Sequence, residues 1–499
     1  MKRTTQHGWQ RTAFMVLIGL LLLRLTLMAV VPLTDTTEAR YAEIARKMLE
    51  TGNWVTPLHD YGVPFWAKPP LSTWLAAASM GLFGLNELVA RLPSLLLSLG
   101  VLWLTARQGR QHSGRDTGLA AALILASSLL FFIAAGTVMT DPSLLFCVTL
   151  SQIAFWQAMQ QRDRLWPYLF FVGLGLGLLA KGPLALVLTG LPIFFWVLLR
   201  QQWLALWQRL PWILGSLLML AIALPWYLLA EWRTPGFLDY FIMGEHVSRF
   251  LDPGWQGDKY GFAHSTPHGM IWLYTLAALA PWTIVAPYWL LRRRQQLRAA
   301  CSDEDGWLLY LLLWTLMTPL FFSLSGNIIF PYSLPMLPGA ALLFAELWQR
   351  TRQPSANSRL PWICASSGVL FVAILLLSTW RPEQWLPSQK PLVAAWRQDH
   401  PDAGSRLLYW DKQRAFSAEF YSQGQARTTH EAQQLEALTA GAARDYLVVN
   451  EQDRKQIPTA LLSRFEQVAH IAIAHDQLLL LRERNALDQP VLSSTENRQ

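Results

Sequence analysis

About eleven stretches of mostly apolar residues recur along the chain, near 12–31, 87–106, 117–136, 142–160, 165–180, 183–199, 210–230, 267–290, 307–323, 329–348 and 361–379. Each is close to the ~20 residues that carry a helix across the hydrocarbon core of a bilayer. A water-soluble fold has about a quarter of its residues charged, whereas this chain has 15% charged and 53% hydrophobic residues, 25 tryptophans and a mean hydropathy of +0.24. The pattern predicts a mainly α, multi-pass membrane protein. The first run follows Lys2, Arg3 and Arg11 as in a secretory leader, but no small-residue cleavage pattern closes it, so it reads as the first span.

A net charge of +8 and a pI near 9.5 could suggest nucleic acid. The basic residues lie instead in short loops between spans: Arg107, Arg110 and Arg115; Arg162 and Arg164; Arg200 and Arg209; Arg292, Arg293, Arg294 and Arg298; Arg350, Arg352 and Arg359. Lys and Arg are retained on the cytoplasmic side, so these loops and the N-terminus are expected there, with membrane lipids and not nucleic acid as the surroundings. The periplasmic face then receives the first loop, 32–86, the further loop, 231–266, and, after an odd number of spans, everything beyond 380. The expected division is a transmembrane domain over 1–380 and a small periplasmic α/β domain over 381–499. In the latter 406–410, 445–449, 468–474 and 477–481 read as strands, helices fall near 412–422, 430–439 and 457–466, and the tail is disordered. Cys147, Cys301 and Cys364 form no pair positioned for a disulfide or a zinc site.

The polar residues that are costly at a membrane gather on the outer side. In the first loop Tyr41, Ile44, Ala45, Met48 and Leu49 recur at helical spacing beside a stripe of Glu43, Arg46, Lys47 and Glu50. This predicts an amphipathic juxtamembrane helix ended by Thr51-Gly52-Asn53. Asp35 and Glu38 at its start suit a capping box, and equally a general base beside Arg40 and Lys68, which could clamp a departing phosphate. Lys68 precedes two prolines that fix an extended turn; a lysine snorkelling to headgroups is the plainer reading. Asp141-Pro142 suits a helix start, but an acid at membrane depth needs a task or a partner. Lys181, on the outer Lys-Gly-Pro turn, runs against the charge rule. Glu245 and Arg249 are spaced as a helical ion pair. His246 suits a hydrogen bond near a phosphate or sugar, and Tyr332 either an interface anchor or part of the same cluster.

Glu38-Ala-Arg-Tyr-Ala-Glu-Ile-Ala-Arg46, Lys68-Pro-Pro-Leu71, Lys181-Gly-Pro183, Glu245-His246 with Arg249-Phe250, and Tyr332-x-Leu-Pro335 together resemble the bacterial aminoarabinose transferase group of GT-C glycosyltransferases, related to the protein O-mannosyltransferases. The resemblance covers roughly residues 10–350. It implies GT-C architecture and an inner-membrane enzyme that moves a sugar, with inversion, from a polyprenyl (undecaprenyl) phosphate carrier to a periplasmic-face lipid or glycan acceptor such as lipid A. It implies catalytic acids at Asp35 or Glu38 and at Asp141, with Arg40, Tyr41, Lys68, His246 and Tyr332 around the carrier phosphate. Lys181 and Arg249 join the expected binding set, with no cofactor and no metal. The sequence departs from the family at Thr37, where an aspartate is usual, at Ala67, commonly an acid, and at Ile328, often a lysine. The competing reading is a lipid or sugar transporter, which predicts charges in mid-span and related halves.

Overall fold

The structure is a computed structural model that describes residues 2–161, 163–261, 264–296, 305–351, 359–380, 385–411, 413–441 and 443–484. The tail expected to be disordered and Cys301 lie outside the described residues. The chain divides into two compact units, one of 1–29 with 48–374 and one of 30–47 with 375–499. The second therefore begins within the last expected span and draws in the start of the first loop.

In the first unit the apolar runs form helices: α1 (Lys2–Val30), α2 (Thr37–Thr51, shared with the second unit), α3 (Leu71–Phe83), α4 (Glu87–Ser113), α5 (Arg115–Ser127), α6 (Leu129–Ala134), α7 (Asp141–Met159), α8 (Trp166–Lys181) and α9 (Leu184–Arg200). Helices at Trp212–Arg233, Met270–Ala278, Trp282–Arg292, Trp307–Phe322, Leu337–Arg350 and Leu360–Trp380 follow. Among the described residues 5 helices are long and apolar enough to cross a membrane, or 6 if the Met270–Ala278 and Trp282–Arg292 pair, bent by 85°, is one span.

Two expected spans are broken, and the breaks meet. The run at 117–136 parts at Ser128, where Leu129 N donates to the Ala280 carbonyl at 3.0 Å, inside the break of the 267–290 run. Trp282 Nε1 donates to Ser127 Oγ at 3.1 Å across the same junction. Non-helical backbone at membrane depth persists only where protein groups satisfy it, and here each break satisfies the other. The 329–348 run opens as a 3-10 turn, Phe330–Met336, because Pro331 and Pro335 lack the amide a regular helix needs. Gly173 lets α8 close on α7: a side chain there would stand 2.2 Å from Ser151 Oγ. At the centre Trp156 packs on Trp307 and Tyr310 with ring centroids 4.6 and 5.2 Å apart, and Tyr310 OH donates to the Gln152 carbonyl at 2.9 Å. Aromatic rings fill such a core, provided their polar ends find partners.

The second unit holds a five-stranded mixed sheet in the order β4-β3-β5-β7-β6: β3 (Leu407–Trp410), β4 (Ala426–Thr429), β5 (Tyr446–Asn450), β6 (Phe465–Ile473) and β7 (Asp476–Glu483), numbered after a small β1–β2 hairpin (Leu58–Asp60, Val63–Pro64) of the first unit. Side chains alternate between the faces of a strand, and both faces are covered. Leu407, Tyr409, Tyr446, Val448 and Leu480 pack with Leu392 and Trp396 of the Lys390–Gln398 helix. Leu408, Trp410, Leu447, Val449 and Leu481 pack with Leu435 and Leu461. Sequence patterning missed β4, whose Ala-Arg-Thr-Thr is polar because it is a short edge strand, and overextended the 457–466 helix, which is confined to Thr459–Leu462 before β6 begins.

Also within the second unit, the polar stripe of α2 is not the water-facing surface that its spacing suggests. Glu43 and Lys47 are fully buried. Lys47 Nζ bonds Glu419 at 2.7 Å and Glu43 at 3.2 Å, Arg46 bonds Glu43 at 2.7 Å, and Arg414 bonds Glu419 at 2.7 Å. The stripe is amphipathic, but its charges answer other charges instead of solvent.

Candidate active site

The N-terminal ends of α7 and α9 and the C-terminal end of α8 set the first part of the site. Asp141 opens α7 with Pro142 at its first turn, and Lys181 closes α8 just before Gly182 and Pro183. An acid at a helix N-terminus and a base at a C-terminus both complement the helix dipole. The two side chains, both buried, meet with Lys181 Nζ 2.6 Å from Asp141 Oδ1. Lys181 Nζ also lies 4.6 Å from the Tyr332 ring centre. Gly182 has φ +70° and no room for a side chain, since a Cβ would stand 2.6 Å from Phe241 and 3.1 Å from His246. That tight turn is what lets His246 reach the chain break.

The second part is carried by a π-helical turn, Tyr240–Ser248, a conformation common at functional sites. Its Glu245 accepts from Lys68 Nζ at 2.9 Å, from Arg249 Nη1 at 3.0 Å and from Tyr240 OH at 3.2 Å. Burial alone would raise the Glu245 carboxyl, but Lys68 and Arg249 outweigh it and hold the group below its ordinary range. Arg249 is further anchored by Asp258 at 3.6 Å. His246 has Nδ1 2.7 Å from the Phe241 carbonyl and Nε2 3.1 Å from the Lys181 carbonyl. Burial lowers its pKa, against those two acceptors, which favour the protonated ring.

Lys68, Lys181, Glu245, His246, Arg249 and Tyr332 all line one cavity of about 150 Å³. Asn327 lines it too; its Oδ1 accepts from His264 N at 3.2 Å, while its Nδ2 is buried without a hydrogen-bond partner. The structure thus brings Lys68, Lys181, His246, Arg249 and Tyr332 to one cavity, with Asp141 behind Lys181. Sequence reasoning gave no functional weight to Tyr240 or Asp258, which orient Glu245 and Arg249; neither sits in a motif or at a helical spacing that would have flagged it.

Asp35, Glu38, Arg40 and Tyr41 lie in the second unit. Asp35 does not cap α2. It accepts from Ser417 N at 2.9 Å and from Ser417 Oγ, at the start of the Phe416–Tyr421 helix. Desolvation pushes its carboxyl up to about 6, against the lowering effect of the Ser417 bonds. Glu38 and Arg40 are buried, and the Arg40 guanidinium stands 5.2 Å over the Tyr41 ring.

The dolichyl-phosphate-mannose-protein mannosyltransferase family matches residues 9–241. The undecaprenyl phosphate-alpha-4-amino-4-deoxy-L-arabinose arabinosyl transferase of Erwinia tasmaniensis is 32% identical over 324 residues, 62% of this chain and 54% of that protein. The enzyme so named from Pseudomonas paraeruginosa is 33% identical over 381 residues, 72% of this chain and 64% of its own. The crystal structure of ArnT from Cupriavidus metallidurans bound to undecaprenyl phosphate superposes with a TM-score of 0.77 at 19% identity, over 96% of this chain and 99% of that one. The chain has the fold of ArnT. Its alignment spans about half the length of the first relatives it matches, 54% for the Erwinia transferase. The ArnT-like fold accounts for the mainly helical architecture, and the aligned 9–241 segment includes the motifs around Glu38, Lys68, Asp141 and Lys181.

Proposed function

We propose that this ArnT-like chain is a multi-pass inner-membrane glycosyltransferase that moves a sugar from an undecaprenyl-phosphate-type carrier to a lipid or glycan acceptor, such as lipid A, on the periplasmic face. The observation that carries the reading is the cavity in which Lys68, Lys181 and Arg249 converge with the unbonded Asn327 Nδ2. Fixed cations and donors aimed at one small space suit a phosphate that gains charge as it leaves. The names of the relatives support the same chemistry.

In the proposed step an acceptor oxygen attacks the anomeric carbon from the face opposite the carrier. The bond from that carbon to the phosphate oxygen breaks, its electron pair leaves with the phosphate, and the configuration inverts. Lys68, Lys181 and Arg249 hold the leaving phosphate, with His246, Tyr332, Arg40 and Tyr41 lining the donor. A hydroxyl acceptor gives its proton to a carboxylate, for which Glu38, two residues before Arg40 in the same motif, is the choice; in this reading Asp35 serves the Ser417 helix start and Asp141 positions Lys181. The proposed topology keeps about eleven spans, a cytoplasmic N-terminus, a transferase domain over about 1–380 and a periplasmic α/β domain from 381.

Transfer from a radiolabelled polyprenyl-phosphate sugar in membranes tests the reaction. Glu38→Gln and Asp141→Asn should lose transfer at normal expression, and Asp35→Asn should keep it. Wild-type transfer by Glu38→Gln together with Asp141→Asn would overturn the assignment. A reporter fused after residue 400 tests the topology, and cytoplasmic activity there would reverse it.

A further inference from the structure

A second cavity, of about 870 Å³, lies at the arginine-bearing ends of α1, α4 and α5 and shares no residue with the site above. Arg11, Arg107, Arg110 and Arg115 line it together with Phe14 and Trp103. Among the described residues none of these four arginines is held in an ion pair. Arg107 is fixed by stacking, 4.6 Å over the Trp166 ring and 5.8 Å from that of Trp103, and its Nη1 is buried without a hydrogen-bond partner. Loop arginines retained by the charge rule alone extend into water. This one is clamped between aromatic rings with a donor left over, a state that costs free energy unless an anion completes it.

An apolar groove of about 380 Å³ lies along the same helices, lined by Leu17, Leu21, Leu95, Leu102 and Phe132, and Phe14 lines both it and the cavity. Arg24 also lines the groove and donates to the Ile133 carbonyl at 2.8 Å. From Arg11 to Arg24 along α1 is 13 residues, about 20 Å of helix at 1.5 Å each. One leaflet contributes about 15 Å of hydrocarbon, so the groove suits one acyl chain.

We propose that this cavity and groove form a site for one anionic phospholipid, its phosphate on Arg107, Arg110, Arg115 and Arg11 and an acyl chain along α1 and α4. Cationic pockets between membrane helices recognise such headgroups by charge, and the apolar continuation selects a lipid over a free phosphate. The site is independent of the transfer reaction, because none of its residues lines the outer cavity.

The test uses the full chain purified in detergent, with lipid retention read by native mass spectrometry and the thermal midpoint read with added lipid. Wild type should retain phosphatidylglycerol and be stabilised by it, and phosphatidylcholine or inorganic pyrophosphate should do neither. Arg107→Gln should weaken phosphatidylglycerol binding at least about tenfold, the size of one lost charged hydrogen bond. The double variant Arg110→Gln/Arg115→Gln, on two exposed side chains, should do the same with an unchanged midpoint in lipid-free detergent. Equal binding by the double variant, equal retention of phosphatidylcholine, or equal stabilisation by pyrophosphate would each overturn the proposal. Transfer assayed in parallel separates its failure from that of the proposed function.

Discussion

Two buried ionic clusters, one in each unit, are built from the same residue types and do different things. In the second unit Lys47 is sealed, with Glu419 at 2.7 Å and Glu43 at 3.2 Å, and Arg46 and Arg414 complete those carboxylates. In the first unit Glu245 and Asp141 hold Lys68, Arg249 and Lys181 just as closely, but those cations border a cavity. A closed cluster can only stabilise or specify a fold. An open one, with cations already desolvated and oriented, can receive an anion with little rearrangement. Burial and pairing therefore do not mark a functional charge; a facing cavity does.

Removing a partner from the closed cluster should have the largest effect. Lys47→Met leaves Glu43 and Glu419 facing each other without their shared cation, a loss of about 3–5 kcal/mol. Thermal melting of the purified variant checks this, and a wild-type midpoint would mean that the cluster is not closed. In the open cluster Lys68→Ala or Lys181→Ala should cut transfer by about 100-fold, the usual scale for removing one charge-stabilising donor. For Lys68→Ala melting should change far less than for Lys47→Met, because Lys68 is partly exposed and Glu245 keeps Arg249. If Lys68→Ala instead melts early and keeps transfer per folded molecule, the two clusters are alike and the comparison fails.

Asn327 sharpens the contrast at a smaller scale. Its Nδ2 is buried at the cavity wall without a hydrogen-bond partner, so it costs stability in the empty protein and gains a partner only with ligand. Asn327→Ala should lower transfer about tenfold with no loss in melting temperature, on the scale of one hydrogen bond. Equal transfer would leave that donor without a role.

These differences show which parts of the molecule the sequence could disclose. The apolar runs were legible because a helix across a bilayer must be apolar over its length. The breaks at Ser128 and before Trp282 were not, because their backbone is satisfied by one another over about 150 residues of chain, as the Leu129 to Ala280 bond shows. Lys181 stood out because a lone lysine on that turn runs against the charge rule, Lys68 by the two prolines that follow it, and Arg249 by its helical spacing from Glu245. The closed cluster was not legible: α2 has the spacing of an amphipathic juxtamembrane helix, and the partner that buries Lys47 is Glu419, 372 residues away. Strand β4 was hidden by polar residues that only an edge position permits.

Asp35 gives the smallest expected effect and the finest test of whether an acid near a motif is chemical or structural. Its carboxyl caps the Phe416–Tyr421 helix through Ser417, with the Glu419 carboxylate nearby as a repelling charge. Its pKa in the folded chain is about 6, above the ordinary 3.8, so the folded state binds the proton more tightly than the unfolded one. The stabilisation from this group is therefore complete below about pH 4 and is lost as pH rises towards 6. Asp35→Asn keeps an oxygen for the Ser417 amide and cannot ionise, so it should melt close to wild type at pH 4 and above it at pH 7. Its transfer should stay within about twofold of wild type, since no group that holds the phosphate is touched. Melting measured at pH 4, 5, 6 and 7 alongside transfer distinguishes the roles. A loss of transfer without the rise in melting temperature would make Asp35 the base and return Glu38 to a helix-start role.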